Sequence, residues 1–281
     1  MKRRSFSNSM TVAEWRYIQS IHETAELQNP DTFVGHFLPA LRRWRCAWLG
    51  QRTLASLRSK PLYYYLVART KYYDGLFLDA IADKVRYIIN VGCGSDTRSY
   101  RFEHILKQHG VKVLECDQSE AISSKQEIAR RQGTFDHVSY LSIDLNDDAW
   151  PDFEHWLNQN NAARTLVLME GVSPYVNVEG FSRFLSLVAK KLPARSRVAY
   201  DFKFSGVADS FGLVGRTQRP FRLPTAREEV VSYHENLGYR VNSMERSSEL
   251  SVRLLTGLEK SDVPLFTEDG LVQLEVALGK A

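Results

Sequence analysis

A chain of 281 residues with 43% hydrophobic and 25% charged residues is long enough for one large α/β domain, and its composition is that of an ordinary globular protein. A net charge of only +4 argues against a nucleic-acid-coating protein, and no apolar stretch approaches membrane-spanning length, so no membrane partner is expected. Cys46, Cys93 and Cys116 are odd in number and form no Cys-x-x-Cys. They support neither a zinc knuckle nor a disulfide framework, and a reducing cytoplasm is the expected compartment. Met1-Lys2-Arg3-Arg4 is basic, but Ser5 to Met10 lacks an apolar h-region, so no secretory signal is expected. The histidines show no metal-ligand spacing, and no metal is expected.

In chain order, residues 11–30 read as a helix, because Val12, Trp15, Ile18 and Ile21 recur at threes and fours. Leu38, Leu41, Trp44 and Trp48 continue that period, and a third helix spans about Leu62 to Ala82. These three predict an N-terminal helical cap over 1–84, ahead of a core over 85–281, the two forming one compact unit. Between Thr32 and Tyr73 there is no acid, while Arg42, Arg43, Arg45, Arg52, Arg58, Lys60, Arg69 and Lys71 all fall there. That stretch reads either as a solvated basic face or as an attractive field for an anionic substrate.

In the core, apolar blocks at Arg86–Val91, Val111–Cys116, Val138–Ile143 and Thr165–Met169 predict buried parallel strands. Helices over Arg98–His109, Glu120–Arg131, Asp148–Gln159 and Val178–Leu192 cross between or follow them. A fifth strand is predicted over 197–203, a helix over Ala226–Leu237, and two final antiparallel strands over Tyr239–Ser247 and Leu271–Leu278. Residues 204–224 are too long and irregular for a routine loop and read as a substrate lid.

The chemistry lies at the strand ends. The first strand runs into Gly92-Cys93-Gly94, where residues without a Cβ let the backbone turn sharply against a ligand. The next three end in Asp117, Asp144 and Glu170. Strand ends on one edge of a parallel sheet open into one crevice, the nucleotide-binding position of open α/β sheets. Asp117 lies about 25 residues past the glycines, where a carboxylate can accept from ribose hydroxyls. A dinucleotide fingerprint wants a third glycine, but that position is Thr97, and Asp96 would repel a pyrophosphate at the helix entrance. S-adenosylmethionine has no phosphate, and its ammonium, carboxylate and sulfonium suit an acid-rich crevice with one basic group.

Five blocks then resemble the leucine carboxyl methyltransferase family, in the family's order and approximate spacing. They are Ala68-Arg69-Thr70 with Asp74, Val91 to Arg98, Glu115-Cys116-Asp117-Gln118 with Lys125, Asp144-Leu145 with Trp150, and Glu170-Gly171 with Tyr175. The family includes the methyltransferase of a protein phosphatase C-terminus, a relative in tRNA wybutosine synthesis, and bacterial O-methyltransferases of the tetracenomycin polyketide type. The resemblance implies a Rossmann-like, seven-stranded, mostly parallel sheet of the class I methyltransferases, with S-adenosylmethionine as cofactor. It implies that Arg69 reaches from the N-terminal helices to the cofactor's carboxylate and that Gly92, with Cys93 and Gly94, lies against the methionine part. Asp117, beside Gln118, is the implied ribose-binding acid. Asp144 and Leu145 flank the adenine, and Glu170 stands near the methionine portion. Three features depart from the family: Gly75 follows Asp74, Cys93 replaces a more usual alanine, and His36-Phe37 falls near the place of an expected Asp-Pro pair.

The expected reaction is O-methylation of a small, partly apolar carboxylic acid, with Tyr175 and Lys203 as substrate contacts and no assigned catalytic residue. A carboxylate is ionised at neutral pH and needs no base. A hydroxyl acceptor would need one, with Asp201 or His36 as candidates. The competing readings are methylation of a protein C-terminus or of tRNA, and a non-catalytic cofactor-binding homologue.

Overall fold

The computed structural model describes residues 2–207, 219–256 and 264–278, with side chains from Ser9 onward. Three long helices open the chain: α1 (Lys2–His22), α2 (Ala40–Arg58) and α3 (Pro61–Ala82), with a short 3-10 helix at Phe33–Phe37. The first was expected to reach residue 30 and stops at His22. Beyond it the chain folds back through Pro30, so that Asn29 and Asp31 are fully buried. Asn29 Nδ2 donates to Gln19 Oε1 and Thr70 Oγ1, both at 3.1 Å, which closes the turn onto α1 and α3.

The core alternates β1 (Tyr87–Val91), α4 (Arg98–Arg101), α5 (Glu103–His109), β2 (Lys112–Asp117), α6 (Ser119–Gln132), β3 (Val138–Ser142), α7 (Pro151–Asn160), β4 (Thr165–Met169), α8 (Val178–Lys191) and β5 (Arg197–Phe204). It continues with β6 (Arg222–Leu223), α9 (Arg227–Asn236), β7 (Tyr239–Arg246), α10 (Ser247–Leu254) and β8 (Asp269–Val276). The sheet order is β3-β2-β1-β4-β5-β8-β7, with the two-residue β6 paired beside β5. Neighbours from β3 to β5 are parallel, and β8 runs antiparallel to both β5 and β7. This is the expected seven-stranded, mostly parallel sheet, with β6 as an unanticipated addition.

Two further sequence expectations change. The helix expected over Arg98–His109 breaks at Phe102, because Arg98 and Arg101 turn inward to carboxylates while Phe102 packs against Phe77. The helix α10 was not anticipated; Ser247 Oγ, bonded to Phe266 O at 2.8 Å, and the buried Leu250 hold it in place. Of the expected lid, residues 208–218 lie outside the described residues.

Alternation along the strands sorts the core into two layers. Leu166, Leu168, Ile88 and Val113 face α3 and α10, while Val167, Met169, Ile89 and Leu114 face α7, α8 and α9. Tyr63, Val67, Ala68 and Phe77 of α3 join the first layer, so the N-terminal helices and the sheet share one apolar cluster.

In the second layer His234 is fully buried, with Nδ1 at 2.6 Å from Val230 O and Nε2 at 2.5 Å from the Tyr200 hydroxyl. A neutral ring that donates from Nδ1 and accepts at Nε2 satisfies both contacts. Burial lowers its pKa to about 4, with the Val230 carbonyl opposing. The unfolded ring takes up its proton near pH 6.5 and the folded ring resists it, so stability is lost as pH falls from 6.5 towards 4. The expected loss is about 3 kcal/mol between those limits. Urea unfolding across that range should show the slope, and His234→Gln should flatten it.

Candidate functional site

The carboxyl ends of β1 to β5 form one edge, and every expected strand-end acid lies on it. Past β1, Gly92 adopts φ +67°, and a Cβ there would stand 2.4 Å from Val172 Cγ2, so only glycine fits. The Gly94 N–H donates to Asp117 Oδ2 at 2.8 Å, and the Gln118 N–H donates to Asp117 Oδ1 at 2.7 Å. Gln118 Nε2 reaches Asp144 Oδ2 at 2.6 Å. The glycine loop, Asp117, Gln118 and Asp144 are therefore one connected surface. Gln118, Ile143, Asp144 and Trp150 line a cavity of about 360 Å³ beside it. Leu145 is not among the residues lining that cavity and packs in the second core layer, and Trp150 Nε1 donates to Asp144 O at 2.7 Å, fixing the strand-end turn. Burial raises the Asp117 carboxyl, with the two backbone N–H donors pulling it back.

A buried layer supports the glycine loop. Asn90 Nδ2 bridges Asp96 Oδ2 and Glu115 Oε2, each at 3.1 Å. Lys125 Nζ holds Glu115 Oε2 at 2.8 Å and the Cys93 carbonyl at 3.1 Å. Cys93 is itself buried, and burial raises its thiol pKa far above the usual value.

The second half of the site is ionic. Arg69, on α3, donates from Nε to Glu170 Oε1 at 3.0 Å and from Nη1 to Asp201 Oδ2 at 3.1 Å. Asp201 Oδ1 accepts from the Gly171 N–H at 2.6 Å. Arg98 Nε meets Asp74 Oδ1 at 2.8 Å, and its Nη1 meets Asp96 Oδ2 at 2.5 Å and Glu170 Oε2 at 2.9 Å. Arg101 bonds both oxygens of Asp74, at 2.7 and 3.0 Å, and its Nε lies 3.3 Å from Asp31 Oδ1. Arg16 pairs with Asp31, which also accepts from Thr97 Oγ1 at 2.5 Å.

Desolvation would raise Glu170, but Arg98, Arg69 and Arg16 outweigh it and hold the carboxyl below its ordinary value. Asp201 goes the other way: burial pushes it up to about 6 despite Arg69.

Four arginines thus meet five carboxylates, and some donors remain open. Arg98 Nη2, Arg16 Nε and the Tyr65 hydroxyl are buried without a hydrogen-bond partner. Tyr65 precedes Arg69 by one helical turn, with its ring 5.5 Å from that guanidinium. Buried donors left unmatched beside an acid-rich edge fit an amino-acid tail, whose carboxylate accepts and whose ammonium donates.

Arg16, Asp31, Asp74 and Arg101 have no assigned role in the sequence reading. Asp31 is visible there only as the last acid before the basic stretch, and Arg98 only as the end of a motif. The remaining expected residues sit apart. Tyr175 closes a 3-10 helix at Ser173–Tyr175, and its carbonyl accepts from Asn146 Nδ2 at 3.1 Å. Lys203 is buried, with Nζ 2.6 Å from Glu268 Oε2 and 3.3 Å from Asp269 Oδ1. His36 lies exposed on the first 3-10 helix, its ring 4.8 Å from that of Phe33.

Because the folded Asp201 carboxyl holds its proton longer than the unfolded one, its contribution to stability falls as pH rises from about 4 to about 6. Asp201→Asn removes that titration. The unfolding free energy of the variant relative to wild type should improve by about 3 kcal/mol across that interval and stay level above it. Thermal melts at closely spaced pH values will test this.

Residues 9–189 match the model of the leucine carboxyl methyltransferase family. A Streptomyces avermitilis protein assigned to the S-adenosyl-L-methionine-dependent methyltransferases is 24% identical over 210 residues, covering 74% of this chain and 72% of its own length. A Frankia alni protein assigned likewise is 26% identical over 204 residues, 70% of each chain. Among solved structures, the magnesium protoporphyrin IX methyltransferase of Synechocystis PCC 6803 superposes with a TM-score of 0.49 at 12% identity, over 98% of both chains. The family match takes in α1 from residue 9 onward, α2, α3, the glycine loop, Asp117, Asp144, Glu170 and most of α8, and the chain belongs to the leucine carboxyl methyltransferase family.

Proposed function

We propose that the chain transfers the methyl group of S-adenosylmethionine to a carboxylate oxygen of a small, partly apolar acid. That it is an S-adenosylmethionine-dependent methyltransferase follows from its family and relatives. The cofactor supplies an electrophilic methyl group on a sulfonium.

In this reading Asp117 accepts from ribose hydroxyls, and Gln118 and Asp144, with Leu145 following them in the core, form the wall for the adenine. Gly92, Cys93 and Gly94 give a backbone surface without a projecting side chain for the methionine stem. Arg69 and Glu170, already paired, divide the tail between them: the guanidinium takes the carboxylate and the Glu170 carboxylate takes the ammonium. One carboxylate in excess over the guanidiniums balances a ligand with one net positive charge.

One observation carries the choice of acceptor. Among the described residues, each carboxylate at the strand ends already accepts a hydrogen bond. Asp117 accepts from two backbone N–H groups, Asp144 from Gln118, Glu170 from Arg69 and Arg98, and Asp201 from Arg69 and Gly171. Carboxylates held by fixed donors suit an acceptor that arrives ionised, and Asp201, pushed up to about 6, is the one among them that a hydroxyl acceptor would use as base. Its work is then to align oxygen, methyl and sulfur and to keep water out. The acid-free run from Thr32 to Tyr73 favours the approach of an anion. Lys203, paired with Glu268 and Asp269, contributes a neutralised wall rather than a lone cation.

With methyl-labelled cofactor and a panel of apolar carboxylic acids, the product label should be released by mild base, as from an ester. A base-stable label would sink the carboxylate reading. In calorimetry with the demethylated cofactor, Arg69→Met and Asp117→Asn should each weaken binding by about tenfold or more, the loss of a charge-assisted contact. Unchanged affinity in both folded variants would overturn the assigned binding edge.

A further inference from the structure

The outermost helix of the N-terminal segment, α2, presents an unusual face. Its buried residues, Cys46, Gly50 and Leu57, lie on one side. There the Cys46 carbonyl meets His22 Nε2 at 2.9 Å, and Gly50 sits against Ile18 and His22 of α1. At 100° per residue, Leu41, Trp44 and Trp48 fall on the opposite side, and Arg45 and Arg52 flank them. Leu41 is 70% exposed, Trp44 53% and Trp48 72%, so none is core. The two indoles stack on each other, centroids 6.1 Å apart, and form a single projecting apolar ridge. Large side chains at these exposures, contiguous and rimmed by cations, mark an interaction surface.

The cations are also sorted. Arg42 pairs with Glu14, Arg58 pairs with Glu23, and Lys60 lies 5.0 Å from the Trp15 ring centroid. Among the described residues, the side chains of Arg45 and Arg52 are exposed and make neither hydrogen bond nor ion pair, while Arg43 falls on the other side of the helix, towards His36. The charges around the ridge are therefore uncommitted and of one sign.

Shape and charge together select the partner. A second copy of this face would set arginine against arginine, with no acid between Thr32 and Tyr73 to relieve it. A peptide helix needs a groove with two walls. Here α1 and α3 lie behind α2, and the ridge is convex. A soft, anionic, amphipathic surface accepts a convex ridge of tryptophan and leucine and neutralises the arginines beside it. We propose that α2 docks the protein on an anionic lipid bilayer, with Leu41, Trp44 and Trp48 entering the headgroup–acyl boundary and Arg45 and Arg52 meeting lipid phosphates. The helix lies on the bilayer; no described helix is long and apolar enough to cross one. The docking face is separate from the strand-end site, so its test does not depend on methyl transfer.

The full chain is sedimented with vesicles of phosphatidylcholine alone and with vesicles of equal parts phosphatidylcholine and phosphatidylglycerol. Binding is expected to the mixed vesicles only, with a blue shift of tryptophan emission, and is expected to fade as salt rises from about 0.1 M to about 0.5 M. Replacing Arg45 and Arg52 with Gln should cost about fivefold in partitioning for each arginine. Trp44→Ser with Trp48→Ser should weaken binding at least about tenfold and abolish the blue shift. Both variants should keep the wild-type melting temperature and affinity for the demethylated cofactor. The proposal fails if the full chain ignores mixed vesicles, or if both variants bind them like wild type. It also fails if light scattering finds a dimer that the tryptophan variant converts to monomer, which would give the ridge to a second copy. Retention on polyglutamate without vesicle binding would give it to an acidic protein instead.

Discussion

Arg98 is 1% exposed, and its guanidinium is shared by three carboxylates from three parts of the chain. Asp74 belongs to α3, Asp96 to the glycine loop, and Glu170 follows β4. A buried charge is tolerable only when its partners surround it, and removing one partner of such a pair costs about 3–5 kcal/mol. The arrangement is therefore close to all-or-none. The N-terminal helices, the cofactor loop and the fourth strand end must be in register together or the guanidinium is stranded. Arg69 repeats the device one step outward, joining α3 to Glu170 and Asp201. The binding edge is rigid because the ion network that shapes it also clamps the helical segment to the sheet.

Much of this architecture is legible in the sequence, and the physical reason differs by element. Thr165–Met169 reads correctly to the residue because every side chain in it is buried, which leaves an unbroken apolar block before Glu170-Gly171. The strand-end acids read correctly because parallel strands bring them to one edge whatever the details of packing. The break at Phe102 is invisible, since the pull on Arg98 and Arg101 comes from residues 74 and 31 rather than from the local period. The helix α10 is too short for periodicity to declare, and tertiary contacts of Ser247 and Leu250 decide it. Asp31 is the clearest omission. A lone acid in a turn after α1 gives no local sign that it sits opposite Arg16, Arg101 and Thr97.

Charge is divided by depth. Carboxylates gather at the sheet edge, where they meet guanidiniums and leave a slight negative excess for a cationic ligand. The outer helical surface carries the opposite sign: the stretch from Thr32 to Tyr73 has no acid of its own, and although Glu14 and Glu23 pair Arg42 and Arg58, Arg45 and Arg52 stay exposed. A modest overall charge conceals this separation. It leaves a slight negative excess at the sheet edge and a positive field on the outer helices of one small protein.

The strand β8 lies between β5 and β7, although it is the last of the three to be made. Until residues 269–276 leave the ribosome, β5 has an open edge beyond its β4 partner, and β7 has nowhere to dock. Asp269, a partner of Lys203, arrives with that strand. Synthesis therefore passes through a stage in which most of the parallel strand-end edge exists while its flank is an unpaired apolar strand. Such edges are where nascent chains stick to one another, and a holding chaperone would find its target there.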